Sequence, residues 1–180
     1  MTGLRPTRWV GPFGTWGAVL PSDLTRPLAC DGWLDEPHQV LHRAAVSAAP
    51  ADRLFRWVGQ LRVAPYSYDW VDNLGRRSPP HLLGLDPPEP GERINAIFRV
   101  IEVEDGRSIT MRFAADWFGE VVCTYLVEPW DGGSRVLVRF AVRYGDGLAA
   151  SMMSWLLPAG DLVMMRRQVL NLAARAQSGR

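Results

Sequence analysis

Residues 107–144 read RSITMRFAADWFGEVVCTYLVEPWDGGSRVLVRFAVRY, and the period of this stretch decides the fold. Ile109, Met111, Phe113, Ala115 and Trp117 alternate with Ser108, Thr110, Arg112, Ala114 and Asp116. Val121, Cys123, Tyr125 and Val127 repeat the alternation, and so do Val136, Val138, Phe140, Val142 and Tyr144 against Arg135, Arg139 and Arg143. A period of two is that of strands with one face buried. The breaks EDGR at 104–107 and DGGS at 131–134 have the chemistry of tight hairpin turns. With the stretch before them, this predicts four antiparallel strands over 92–103, 107–117, 120–129 and 134–144, sharing one apolar face. Ile94 to Val103 is apolar in both phases, so Arg99 has no assigned face.

Downstream, Leu162, Met165, Val169, Leu172 and Ala176 follow helical spacing, while Arg166, Arg167, Asn171 and Arg175 face elsewhere. Asp161, after Pro158 and Gly160, is expected to open that helix. The segment 148–157 before it, with Met152, Met153, Trp155, Leu156 and Leu157, reads as an apolar connection. Upstream, 38–48 suits a strand. In 50–61, Leu54, Trp57, Val58 and Leu61 mark one helical face behind Pro50 and Asp52. Residues 65–75, PYSYDWVDNLG, suit a loop leading into a short helix, and five prolines between 79 and 90 mark an irregular stretch. The first 37 residues show no sustained period yet hold Trp9, Phe13, Trp16 and Trp33, so they read as an ordered arm wrapping a single domain at 38–180.

A chain of 180 residues with 47% hydrophobic and 22% charged residues suits one cored domain. A net charge of +1 gives no global pull toward nucleic acid. No run reads as reaching the roughly 18 apolar residues of a membrane span, and the N-terminus lacks a signal peptide's apolar stretch. Two cysteines do not make a disulfide framework, so a cytoplasmic setting is expected. All twenty basic residues are arginine, which removes Schiff-base chemistry and the lysine of a phosphate loop.

A curved antiparallel sheet with one apolar face needs covering, and the last helix is the long apolar one. This order resembles the helix-grip fold of the START/Bet v1-like superfamily, also called SRPBCC or polyketide cyclase/dehydrase-like. The stretch APADRLFRW at 49–57 is similar to that family's first helix after its first strand. YSYDWVDNL at 66–74, MRRQVL at 165–170 and TWGAVLPSDL at 15–24 resemble segments of a bacterial branch of unassigned function. The resemblance implies an α+β helix-grip fold with a hollow between sheet and C-terminal helix, and covers nearly the whole chain. Its members include carriers, cyclases and hydrolases, so fold alone does not give function. Members of the branch often carry a bulky aromatic where this chain has Cys123, which implies a wider hollow if that side chain faces it.

Trp57, Tyr66, Tyr68, Trp70, Met111, Phe113, Tyr125, Phe140, Trp155 and Met165 are the candidate ligand-binding residues, since aromatic and methionine side chains make an adaptable apolar lining. The same residues also suit plain core packing. Tyr66, Tyr68, Asp69 and His81 are the candidates for acid–base work, although a capping or arginine-paired carboxylate and a plain loop histidine are the more ordinary roles for Asp69 and His81. Arg112, Arg135, Arg139 and Arg143 read as a solvated convex row, with an anion- or partner-binding face as the alternative. His38 and His42 lack further ligands nearby in sequence, so no metal and no cofactor are predicted. Cys123 in an apolar strand reads as an inert thiol.

Three readings follow. The chain is a carrier of a hydrophobic, lipid- or polyketide-like molecule; or a metal-independent cyclase or dehydratase using the same hollow; or an interaction protein whose interior is filled. The hydrophobic small molecule is the expected partner, without nucleic acid or a membrane span, and a homodimer is among the assemblies the sequence allows.

Overall fold

Seven strands form one curved, unclosed sheet in the computed structural model, which describes residues 13–178 apart from Ala96 and Asp116. Trp9 and the rest of residues 1–12 of the expected arm lie outside the described residues, as do the single positions 96 and 116 of two expected strands. The strands are β1 (Thr15–Gly17), β2 (Gln39–Ser47), β3 (Arg93–Ile94), β4 (Phe98–Glu104), β5 (Ser108–Phe113), β6 (Gly119–Trp130) and β7 (Gly133–Tyr144). They lie in the order β1-β2-β7-β6-β5-β4-β3, antiparallel throughout except that β1 runs parallel to β2. Helices α1 (Cys30–Trp33), α2 (Ala51–Gly59), α3 (Asp69–Asp72) and the 30-residue α4 (Leu148–Gln177) complete an α+β helix-grip fold.

The β6–β7 hairpin is the backbone of the sheet, paired from Gly119↔Tyr144 to Trp130↔Gly133. Its turn needs positive φ at both central positions, and Asp131 (φ 25°) and Gly132 (φ 77°) supply it. At the other end Gly119 has φ 141°, and a Cβ there would stand 2.2 Å from the Arg143 carbonyl oxygen, so the strands close on a position open to glycine alone.

The concave face carries the main core. Ile109, Met111, Cys123, Tyr125, Val138 and Phe140 from the sheet meet Leu54, Trp57 and Val58 of α2 and Met165, Val169 and Leu172 of α4. Pro50 stands at the N-cap of α2 with Asp52 in its first turn, as its spacing requires.

Three expectations are corrected. The last helix does not begin behind Pro158; it starts at Leu148 and runs through Pro158, Gly160 and Asp161. Proline removes one helical hydrogen bond, but packing of the inner face against the sheet outweighs that loss. Asp161 accordingly caps nothing: it lies in mid-helix and forms an ion pair at 2.6 Å with Arg43 of β2, both side chains buried. Read as one element, α4 is also long and apolar enough, by length and composition, to cross a membrane, where two shorter pieces were not.

The second correction concerns the sheet's other face. It is not left to solvent, because residues 18–37 lie across it: Cys30 and Leu34 pack on Val122 and Ala141, and Ala18, Val19 and Leu28 on Ala44, Leu126 and Leu137. Third, Arg135 and Arg139 are therefore not a solvated row but are buried beneath this cover. Arg143 stays exposed, bonded to Glu120, while Arg112 is half-buried and donates to the Trp33 carbonyl at 3.2 Å.

Candidate functional site

The concave face of the grip is built from alternate strand residues. In the cross-strand row Met111↔Cys123↔Phe140↔Leu41 every side chain is buried on the concave face. One step toward the open end of the sheet, Phe98 stands directly opposite Phe113, with ring centroids 5.7 Å apart. Phe98 also approaches Phe140 at 6.4 Å, and Phe113 approaches Phe118 at 5.4 Å. Phe98, Phe113 and Tyr144 are only partly buried, as are Met153 and Leu157 of α4, all packed against the core. From β4 across to β7 the residues turned to this face carry no charge. This end of the fold is thus an aromatic and thioether surface without ionic groups.

Deeper in, polar groups are present but engaged. The Tyr125 hydroxyl donates to Gln168 Oε1 at 2.5 Å, and Gln168 Nε2 donates to the Pro65 carbonyl at 2.7 Å. Burial pushes the Tyr125 hydroxyl and the Cys123 thiol well above their ordinary pKa ranges, so neither ionises. Tyr66 stands edge-on to Trp57 at 5.5 Å, and its hydroxyl accepts from Gln60 Nε2. Burial raises its pKa as well. At the β2 side Asp161 is raised to about 6, because burial outweighs the opposing pull of Arg43. Arg43 itself is anchored to the Gly14 and His42 carbonyls at 3.1 and 2.9 Å.

The candidates from sequence fall into two groups. Trp57, Tyr66, Met111, Tyr125, Phe140 and Met165 lie in the core, and Phe113 at its half-buried rim. Tyr68 is half-buried on the outside, beneath the Arg167 guanidinium at 4.7 Å, where it joins Leu162, Val163, Arg166, Leu170 and Asn171 around a surface groove of ≈ 510 Å³. Trp70 and Trp155 point into solvent, 78% and 77% exposed. Asp69 opens α3 and accepts from the Ser78 amide at 2.8 Å and from its hydroxyl at 2.5 Å, which pins the following loop. His81 is exposed, and its carbonyl takes a hydrogen bond from Gln60 Nε2 at 2.9 Å. A second surface pocket, ≈ 440 Å³, lies between α2 and the loop 82–87, lined by Phe55, Gln60, Leu82, Leu85 and Pro87 with Asp52, Asp86 and Asp105 around it.

Sequence reasoning passed over Phe98, Phe118 and Leu157 as site residues; with Met153, a methionine the sequence offered for a pocket lining, they hold the open end together. Phe98 sits where both phases are apolar, next to a register shift between Val100 and Glu102, so period alone did not assign its face. Arg43 was passed over and Asp161 was read as a helix opener, although one charge in an apolar strand and one in an apolar stretch of helix are a matched signal. Among the described residues no three His, Cys, Asp or Glu side chains gather as a metal site. His42 is buried below the arm, where Nε2 accepts from Arg139 Nε at 2.9 Å and Nδ1 finds no hydrogen-bond partner among the described residues. Burial, reinforced by the Arg139 charge, depresses its pKa to about 4.

No family model and no curated protein matches the chain. Solved structures do. Protein MLL2253 from Mesorhizobium loti superposes with a TM-score of 0.51 at 14% identity, over 76% of this chain and 95% of that one. The solution structure of KanY (ms6282) gives 0.50 at 13% identity, over 75% and 94%. DynU16, from the dynemicin biosynthetic locus, gives 0.48 at 16% identity, over 74% of this chain and 46% of its own, a score that carries no argument here. At such identities the likeness shows a shared fold and leaves activity to be argued from the site.

Proposed function

We propose that the protein binds an apolar small molecule, lipid- or polyketide-like in shape, at the open end of the hollow between the sheet and α4. One observation carries this reading. The concave face from β4 to β7 is free of charge, and its aromatics are fully covered in the middle but only half-covered at the open end, at Phe98, Phe113 and Tyr144. Half-covered aromatic surface gains by taking up an apolar ligand, at roughly 25 cal/mol per Å² removed from water. In this reading residues 38–180 form the binding domain, and residues 13–37 brace it from behind.

Catalysis in the same hollow, as a metal-independent cyclase or dehydratase, has less support. A general acid or base needs a free proton or lone pair within reach of substrate. Tyr66 and Asp69 already have partners inside the protein, as does Tyr125.

Native mass spectrometry followed by solvent extraction tests the reading. The purified chain is expected to retain an apolar molecule near one-to-one, and Phe113→Arg to lose it while staying folded. A chain that carries nothing and does not take up the uncharged probe 1-aminoanthracene would sink the proposal.

A further inference from the structure

The side of α4 turned away from the sheet is apolar along most of its first five turns. Leu148, Met152, Trp155, Leu156 and Val163 are all exposed there. They fall at helical spacing over about 23 Å at 1.5 Å per residue. Between 148 and 165 the one charged residue is Asp161, and it is turned inward to Arg43. A contiguous exposed stripe of this kind marks a contact surface.

Two observations say what covers it. The first is Gly160, exposed in the same stripe. A Cβ there would meet nothing within 4 Å, and its φ is not positive, so nothing among the described residues calls for glycine, which weakens a helix relative to alanine. A gap on an outer helix face is a hole for a side chain of another helix. The second is charge. Asp146, just before the first turn, and Arg166, just past the last apolar position, are both exposed, and neither makes an ion pair among the described residues. Arg166 rests over the Trp16 ring at 5.4 Å, which leaves its guanidinium edge open.

We infer that the outer face of α4 is a two-fold interface with a second copy of this chain, the two helices running antiparallel and crossing at Leu156. A single centre satisfies both observations. It sets Met152 over the partner's Gly160, and it sets Asp146 opposite the partner's Arg166. Leu156 then meets its own counterpart, as an isologous contact requires. A shallow crossing of about 20° keeps the stripe in contact along its length. A lipid surface fits less well: an interfacial helix carries basic residues along its polar side, whereas here the exposed Arg166 and Arg167 stand at one end of the stripe and Asp146 at the other, with no basic residue between them.

Sedimentation velocity on the full chain tests the inference. The wild type is expected as a dimer at about 100 µM, dissociating on dilution. Leu156→Arg should be monomeric. Gly160→Leu should weaken the dimer about tenfold or more with no loss of thermal stability at low concentration, because the gap is closed only by the partner. Asp146→Arg and Arg166→Asp should each weaken it about tenfold, since symmetry counts each pair twice, and together they should restore it. The charge exchange decides the matter if Leu156→Arg fails to fold. A wild type that stays monomeric overturns the inference. So does a dimer indifferent to these changes, or a monomer that instead co-sediments with vesicles of phosphatidylcholine and phosphatidylglycerol.

Discussion

The two faces of the sheet are covered by opposite chemistry. On the concave face α2 and α4 meet the strands through Leu, Val, Met and aromatic side chains, with the Arg43–Asp161 pair as the ionic contact at its β2 side. On the convex face the cover is held largely by charge. Arg135 forks onto Asp23 at 2.8 and 2.9 Å and also donates to Glu128 and the Ala18 carbonyl. Arg139 donates to Asp31 at 2.5 Å and to the Arg26 carbonyl at 2.9 Å. Thr124 accepts from the Cys30 amide and meets Thr110 at 2.9 Å. A helix with an apolar stripe can slide and still bury area. A segment too short to offer such a stripe is instead fixed at points, by planar guanidinium groups whose geometry admits one arrangement.

The largest expected effect lies on the charged side. Arg135→Met takes the forked guanidinium from the buried Asp23 carboxylate, leaving it only the longer 3.5 Å contact with Arg26, and should lower stability by about 3 kcal/mol. Urea unfolding followed by Trp fluorescence measures it, and a loss below about 1 kcal/mol would mean the arm is not docked by this pair. On the apolar side, Leu172→Ala removes a fully buried side chain between α4 and the sheet and should cost about 2–4 kcal/mol. A loss near zero would show that α4 settles into the gap.

The predicted strands were legible where alternation persists, at 109–113, 121–127 and 136–144, and DGGS has the residues its turn requires. The strand expected over 107–117 stops at Phe113, and Trp117, expected on the apolar face, is exposed. The convex arginines were not legible. An alternating Arg135, Arg139, Arg143 row has the same pattern whether it meets water or a cover. Its partners Asp23 and Asp31 lie 112 and 108 residues away, outside the reach of any local pattern. The long last helix was hidden by Pro158, Gly160 and Asp161, three residues within four positions that ordinarily interrupt or open helices. Within the candidate site, Phe113 and Phe140 could be placed by period. Trp155 could not, because its face depends on a helix that the sequence reading did not extend to it.

A subtler contrast is in pH. His42 on the convex side has its pKa depressed from 6.5 to about 4, chiefly by burial and then by Arg139, with Asp23, Asp31 and Arg43 also acting on it. Below 6.5 the unfolded chain takes a proton that the folded one refuses, so this group's contribution is lost as pH falls. Asp161 is raised from 3.8 to about 6. Its folded form takes the proton first, so this contribution is present at low pH and is lost as pH rises through 6. Each amounts to about 2 kcal/mol between pH 6.5 and about 4.5, with opposite sign. His42→Gln is therefore expected to grow relatively more stable on acidification over that window, and Asp161→Asn relatively less, with the wild type between them. Parallel slopes in the two variants would break the contrast. The smallest effect belongs to neither face: Arg56→Ala removes an exposed pair with Asp52 along α2 and should change stability by about 0.5 kcal/mol or less.

The convex clamp also dictates an order of events. Asp23 finds its partner 112 residues further along the chain, and the carbonyls that hold Arg139 come from the same early segment. A ribosome adding about 5–20 residues per second needs roughly 6–20 s to deliver β7 after the arm. The tryptophan-bearing arm is thus made first and seated only once the β6–β7 hairpin exists to receive it.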